Sequence, residues 1–445
     1  MKPQQTLLQD VLGQLAPCMD APACWLGLSG GLDSMVLLEA VDQLRRHYSL
    51  PPLKAIHVHH GLHPDADHWV EHCQRECQAR DIELHIRRVQ LPPGGNIEEL
   101  ARDARYGIFE QYLQPGDCVL LAHHADDQLE TLLFRLMRGT GVRGMAGMPV
   151  SRALGQGVLL RPLLGWTREQ LADWARAQQL EWIEDPANAD PRYARTALRH
   201  QLLPYLREHW KSLPGNLLRL AEHASEANQL LDERAEEDLQ QASVALTDVW
   251  LDCWPNLVLD ALAALSPARQ KNLLRYWLHQ QGIRLPDQRH LQTLLAQLTA
   301  AQDSQPALHI GNARLYRSSG RLWLVSVPSV LAGVDQPLAA IRNTALLAGN
   351  GRLRFKEEGS IAHCDGCWRI AYRRGGEQIK LPGRPTQSLK SLFQQAGIPA
   401  WLRPAIPLLY CDDQLVSVAG RWNAEAMLAG AGQAGFSMRW EPIPD

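Results

Sequence analysis

The chain lacks the features that would tie it to a membrane or to an oxidising compartment. Its first residues, "MKPQQTLLQDVLGQL", have no apolar signal-peptide core, and no later run among the 445 residues is long enough to span a bilayer. No membrane partner and a cytoplasmic protein are therefore expected. Neither sign of charge prevails: 45 Lys+Arg face 48 Asp+Glu, a formal net charge of −3. That excludes a global attraction to nucleic acid, so any such partner needs a local basic face. Nine cysteines, odd in number and scattered, do not make a disulfide framework, and reduced thiols are expected. His72-Cys73 with Cys77 and His363-Cys364 with Cys367 each supply at most half of a zinc site, and nothing in the sequence joins the two halves.

What is present is a soluble globular composition, 45% hydrophobic and 21% charged, in a chain long enough for two or three domains. Cys24–Leu28, Leu53–Val58, Ile82–Val89 and Cys118–Ala122 are short and rich in Val, Ile and Leu, with helical patterns such as Ala66–Arg80 and Asn96–Tyr112 between them. This alternation predicts an α/β fold, a doubly wound parallel sheet whose ligands bind where strands end and helices begin. Thr167-Arg168-Glu169-Gln170 has capping-box spacing and opens a helix over Arg168–Gln179. From Asn216 to about Ala300 the pattern is nearly all helical, with Leu217, Leu220, Ala221, Ala224 and Ala227 as one stripe and Ser266-Pro267 as N-cap and first helical residue. "ALHIGNARLYRSSGRLWLVS" predicts a hairpin turning at Ser-Ser-Gly. A β-rich part begins near Gly351. The expected domains are 1–215, 216–345 and 346–445.

Two constellations carry chemistry. In "CWLGLSGGLDSMVLLEAV" the string Ser29-Gly30-Gly31-Leu32-Asp33-Ser34 stands between a strand and a helix. Glycines there let backbone N–H groups close on an anion, and the helix N-terminus adds positive potential. The common ATP-cradling loop has a lysine before its Ser/Thr; this one has none, which suits it to holding pyrophosphate. Asp33 repels phosphate unless a divalent cation lies between them, so it implies Mg²⁺, with Asp33 as the metal's ligand. The second constellation is "LLAHHADDQLETLLFRLMRGTGVRGMAGM". A strand ends at His123-His124, Asp126 and Asp127 start the next helix, and Asp127, Glu130 and Thr131 share one helical face. Carboxylates beside an ATP site suit a cationic co-substrate.

The first string resembles the pyrophosphatase loop of the PP-loop ATP enzymes, which cleave ATP between its α- and β-phosphates. The second resembles the tRNA(Ile)-lysidine synthases, as does "IHVHHGL" at Ile56–Leu62. "ARDARYGIF" resembles that family's helix with an Arg-Tyr pair, here Arg105-Tyr106. "EDPANADPRYARTALRH" resembles its Asp-x-x-Asn…Arg-Asn…Arg segment as Asp185, Asn188, Arg195 and Arg199, with Thr196 where the family has Asn. "RRGGEQIKLPGRPTQSLKSLFQQAGIPAWLRPAIPLLYCDD" resembles its terminal domain, with Thr386 where His is commoner. The resemblance covers both ends of the chain; the helical middle matches only in character.

The resemblance implies a PP-loop, Rossmann-like N-terminal domain, a helical middle and a small β-rich C-terminal domain. It implies a ligase that adenylates the C2 oxygen of the wobble cytidine of the CAU-anticodon isoleucine tRNA, then joins free L-lysine to C2, releasing AMP and pyrophosphate. ATP would lie on Ser29, Gly30, Gly31, Leu32, Asp33, Ser34 and His57. Asp127 and Glu130 would grip lysine, and Arg105 and Arg138 would neutralise charge in catalysis. Arg195, Arg199, Arg373, Arg374, Lys380, Arg384 and Lys390 would contact tRNA. The last five lie in residues 352–404, where ten Lys+Arg face four Asp+Glu among glycines, with Gln387, Ser388 and Trp401 as further candidates for backbone-phosphate contact. A homodimer is compatible with the family.

Two other readings are weighed. A sulfur-transferring tRNA enzyme needs a cysteine acceptor or paired CxxC motifs, and only Cys364-x-x-Cys367 has that spacing, far from the ATP motifs. A non-catalytic RNA-binding protein using ATP as a conformational ligand is disfavoured by the intact loop and the acid pair.

Overall fold

The computed structural model describes residues 3–61, 63–92, 97–184, 197–283, 288–299, 307–326, 333–338, 341, 344–347, 350–430 and 432–442. Asp185, Asn188, Arg195 and Thr196 lie outside them.

β1 (Cys24–Gly27) is flanked on both sides by parallel strands, β2 (Leu53–His59) and β4 (Cys118–Leu120). β3 (Glu83–Arg88) extends the sheet beyond β2, and β6 (Gly157–Leu160) extends it beyond β4, both parallel. The order is β3-β2-β1-β4-β6-β5, as a doubly wound sheet requires. Only β5 (Ser151–Leu154) runs antiparallel. Its residues are mostly exposed, so no hydrophobic run announces it; the turn before Gly157 folds it onto the sheet edge.

Of the helices, α1 (Pro3–Leu15), α2 (Leu32–Arg45) and α7 (Arg168–Ala177) feed one core, where Leu7, Val11, Met35, Leu37, Leu38, Leu171 and Trp174 meet Leu26 and Leu120. α4 (Ile97–Tyr112) feeds a second, with Ile108 and Phe109 against Trp25, Ile56 and Val119. α3 (Ala66–Ala79) follows β2, α5 (Ala125–Met137) follows β4, and the short α6 (Val142–Met145) comes next. The expected box at α7 is present: Gln170 N–H donates to Thr167 Oγ1, and Thr167 N–H donates to Gln170 Oε1. No described helix is long and apolar enough to cross a membrane.

The chain divides into two compact units, Met1–Gln229 and Leu230–Asp445. A 30-residue helix, Leu213–Ala242, runs through the division. Its buried face holds Leu217, Ala221 and Ala224, whereas Leu220 is 45% exposed, so the expected stripe is one position too wide. In the second unit the helices Pro267–Gln280 and Gln288–Thr299 pack on the strands around Leu315 and Leu322. Ser266 caps the first as expected, its Oγ accepting from Arg269 N–H. The middle is not wholly helical, because Asn256–Val258 forms a strand beside Arg321–Ser326. The hairpin turns at Ser319 and Gly320, both at positive φ. Its Trp323 joins the same core as Trp440, Phe436 and Phe393 of the β-rich end.

Candidate active site

The loop after β1 is built around one hydroxyl. Ser34 Oγ accepts the N–H groups of Ser29 (3.3 Å) and Gly30 (3.2 Å), lies 3.0 Å from Ser29 Oγ, and donates to the Gly31 carbonyl at 3.0 Å. Gly31 N–H donates to Ser29 Oγ at 3.3 Å. Gly30 has φ +85°, and a Cβ there would lie 2.8 Å from Ile183 Cδ1 and 3.1 Å from Cys73 Sγ, so only glycine fits. Leu32 is buried as the first residue of α2. Amides turned inward at a helix N-terminus make an anion cradle.

Asp33 leaves the cradle on the first turn of α2. Its Oδ1 is buried without a partner, and its Oδ2 lies 3.6 Å from His124 Nε2. His124 caps α5: its Nδ1 accepts Asp127 N–H at 3.4 Å, and its own N–H donates to Asp127 Oδ2 at 3.1 Å. Burial opposes a charged His124, but Asp33, Asp127 and Asp126 outweigh it and raise its pKa. His124 therefore joins the nucleotide loop to the acid pair, a role that its place in a strand-end His-His pair signals and that sequence reasoning left unassigned. Asp126 has a structural task, accepting Arg168 N–H at 2.7 Å and bonding Arg207.

Asp127 and Glu130 do share a face, and Arg199 occupies it. Arg199 Nε and one terminal nitrogen meet the Glu130 oxygens at 2.6 and 2.9 Å, and that same nitrogen reaches Asp127 Oδ1 at 3.4 Å. Glu130 is 3% exposed, and burial raises its pKa against the pull of Arg199. Arg199 was expected on tRNA; in this structure it is the cation of the acid pair, carried on a π-helical turn, Leu198–Leu202. Arg138 is not brought here. It sits exposed beyond the far end of α5, over the Phe134 ring at 5.4 Å.

His57, on β2, places Nδ1 2.9 Å from the Leu28 carbonyl and 3.5 Å from Cys73 Sγ, and burial lowers its pKa. Arg105 on α4 lies near enough to add to that lowering and meets no carboxylate among the described residues. Cys73 and Cys77 are core thiols, pushed up to about 12 and about 11 by burial. Among the described residues no cluster of three or more His, Cys, Asp or Glu side chains is arranged to hold a metal.

The expectation of free thiols fails at Cys364, which is bonded to Cys411. Pairing of Trp368 with Cys411 across adjacent strands brings the segment before Trp368 to that strand end. Cys367 remains free and exposed. In the basic segment, Arg373 meets Glu377 at 3.7 Å, Arg374 meets Asp335, and Lys380 meets Glu425 at 2.7 Å. Arg384 and Lys390 are exposed and meet no carboxylate among the described residues. Ser388 and Trp401 are half-buried and carry structural tasks: Ser388 caps a helix, and Trp401 packs against Tyr316, Trp254 and Trp323.

A parallel sheet with an anion-cradling Ser-Gly-Gly loop at its central strand, and no phosphate-loop lysine, defines a nucleotide-binding domain of the PP-loop class. Residues 4–206 match the family model of the PP-loop domain, residues 257–323 that of the TilS substrate binding domain, and residues 368–440 that of the TilS substrate C-terminal domain. The chain is 44% identical over 434 residues to the tRNA(Ile)-lysidine synthase of Pseudomonas putida, covering 96% of this chain and 97% of that one. It is 43% identical to that of Pseudomonas aeruginosa, covering 99% and 98%. The chain belongs to the tRNA(Ile)-lysidine synthase family.

Proposed function

We propose that the protein is a tRNA(Ile)-lysidine synthase, which uses ATP to adenylate C2 of the wobble cytidine in the CAU-anticodon isoleucine tRNA and then joins free L-lysine there. The observation that carries this reading is the link from loop to acids: Asp33 on the nucleotide cradle faces His124, which caps the helix bearing Asp127 and Glu130. Adenylation and amine attack need an ATP phosphate cradle and an ammonium site side by side, and this link supports the reading by joining the cradle to the acid pair.

The ATP tail lies on the amides and hydroxyls of Ser29 to Ser34, beside His57. The unpartnered Oδ1 of Asp33 fits a divalent cation, and Asp33 would hold Mg²⁺, which screens the phosphates from the carboxylate and neutralises charge on the departing pyrophosphate. The C2 oxygen attacks the α-phosphorus, pyrophosphate leaves, and a poor leaving oxygen becomes a good one. Lysine's ε-amine then attacks C2 and AMP departs. Asp127 and Glu130 hold the ammonium groups once Arg199 gives way. Glu130, whose burial raises its proton affinity, is the better base of the two for the proton lost on attack. Arg105 stands beside His57 to neutralise phosphate, and Arg384 and Lys390, free of carboxylates, are the readiest of the C-terminal basic residues to meet tRNA phosphates.

Incubation with ATP, Mg²⁺, labelled lysine and total tRNA tests the proposal. RNA-bound lysine label with pyrophosphate release is expected, falling by 10²-fold or more (on the order expected when an orienting group is lost) in Glu130→Gln. Pyrophosphate release without lysine transfer, or sulfur incorporation, would overturn it.

A further inference from the structure

Most buried or half-buried arginines of the first unit have a carboxylate: Arg80 meets Glu39 and Glu76, Arg45 meets Asp42, Arg199 meets Glu130. Arg161, which is buried, does not, and neither do three exposed arginines that lie with it. Arg102 and Arg105 are on α4, Arg152 is on β5 and Arg161 follows β6; among the described residues none of them meets an acid. Three of them converge on one ring. The Arg102 and Arg152 guanidinium groups lie 5.5 and 5.0 Å from the Tyr106 centroid, and an Arg161 terminal nitrogen is 3.4 Å from Tyr106 Oη.

Arg161 is the deepest, 2% exposed. One end donates to the Pro149 carbonyl at 2.7 Å, but its Nε has no partner. Beside it, His123 at the end of β4 keeps Nδ1 buried and unpartnered. Burial and the nearby Arg161, Arg105 and Arg102 push His123 down to about 3, so the positive charge comes from the guanidinium groups alone. Burial works against an ionised Tyr106, yet Arg161, Arg102 and Arg152 together draw its pKa below the usual phenol range. A buried guanidinium without a counter-ion is costly, and an arriving oxyanion relieves that cost. Forked guanidinium donors suit phosphate oxygens. Arg161 also stands just past the end of β6, and open α/β sheets take ligands at such ends. β6 lies two strand spacings from β1, with β4 between them, about 10 Å across a sheet, so the arginine cluster is a second anion position and not an extension of the amide cradle.

We propose that Arg102, Arg152 and Arg161, gathered around Tyr106, form a phosphate recess that takes a backbone phosphodiester of the RNA beside the nucleotide being modified. The proposal rests on the lysidine-synthase reading. A nucleotide polyphosphate tail shares the same chemistry and is the competing source of the anion.

The test uses the full chain and a fluorescent anticodon stem-loop carrying a CAU loop, with affinity read by anisotropy across a KCl series. Arg152→Gln, on an exposed edge strand, is expected to weaken binding several-fold at low salt. It is also expected to reduce the slope of log K against log[KCl] by roughly 0.7 to 0.9, the value of one lost phosphate contact. ATP and pyrophosphate affinities are expected to stay at wild-type values. Arg161→Gln, which empties the floor, is expected to repeat the slope change, with circular dichroism checking its fold; Arg152→Gln carries the test if Arg161→Gln unfolds. Unchanged RNA affinity and slope in Arg152→Gln would overturn the recess. So would a selective loss of ATP or pyrophosphate binding, which would assign it to the nucleotide tail. If the wild-type chain transfers lysine to RNA while Arg152→Gln keeps its salt slope, the recess alone falls; if the wild type neither binds the stem-loop nor transfers lysine, both readings fall.

Discussion

Three histidines at strand ends tie the stability of the first unit to pH in opposite senses. His60 is pushed down to about 4 by burial and by Arg105, His57 and His59, and His123 to about 3. Below the ordinary imidazole value the unfolded chain takes up protons that the native one refuses, so stability falls as pH drops from about 6.5 towards 4. His124 acts oppositely: its raised pKa gives stability that is complete below the unfolded value and is lost as pH rises through the folded one. In thermal unfolding between pH 4 and 7, His60→Gln should lose less stability on acidification than the wild type, by on the order of 2 kcal/mol at pH 4. Equal acid sensitivity would show that His60 is not held neutral. The sequence displayed these residues as "IHVHH" and "AHHADD" without their division of labour, because which imidazole meets a carboxylate depends on distant strands. Asp33 and Asp127 lie 94 positions apart, and only the adjacency of β1 and β4 brings both within reach of His124 Nε2.

Elements were legible where hydrophobic period and capping chemistry agreed. Cys24–Leu28 is expected and Cys24–Gly27 observed; Asn96–Tyr112 is expected and Ile97–Tyr112 observed. β5 went unread because an exposed edge strand has no apolar run to display. Leu220 was misplaced because spacings of three and four both suit a helix, and only the packed neighbours choose. Leu217 feeds a core with Leu129, Leu132 and Leu203, while Leu220 faces solvent. Leu217→Ala should therefore cost about 2 to 4 kcal/mol in denaturant unfolding and Leu220→Ala no more than about 0.5 kcal/mol. Comparable costs would mean that the helix face is assigned wrongly. Arg138 teaches the same lesson along a helix axis: eleven residues from Asp127 amount to about 16 Å of rise, enough to separate two groups that the sequence prints side by side.

At the level of the whole chain, two units with separate cores imply separable unfolding. The Cys364–Cys411 bond links two residues 47 positions apart within the second unit. Cys364→Ser, or reduction, should destabilise that unit by about 2 to 4 kcal/mol through the unfolded chain's regained freedom. In calorimetry the transition of the first unit should stay in place. A shift of both transitions would contradict the division. The disulfide was not legible because its partners stand far apart in a chain whose other described cysteines are free, and only the strand register brings them together.

The hydroxyl of Ser34 already does for the nucleotide loop what an oxyanion would do. Because two amides converge on it before any ligand arrives, an incoming phosphate oxygen displaces a single rotor and finds its donors oriented. Recognition at this turn is then a substitution of one acceptor for another, fast and nearly free of backbone rearrangement.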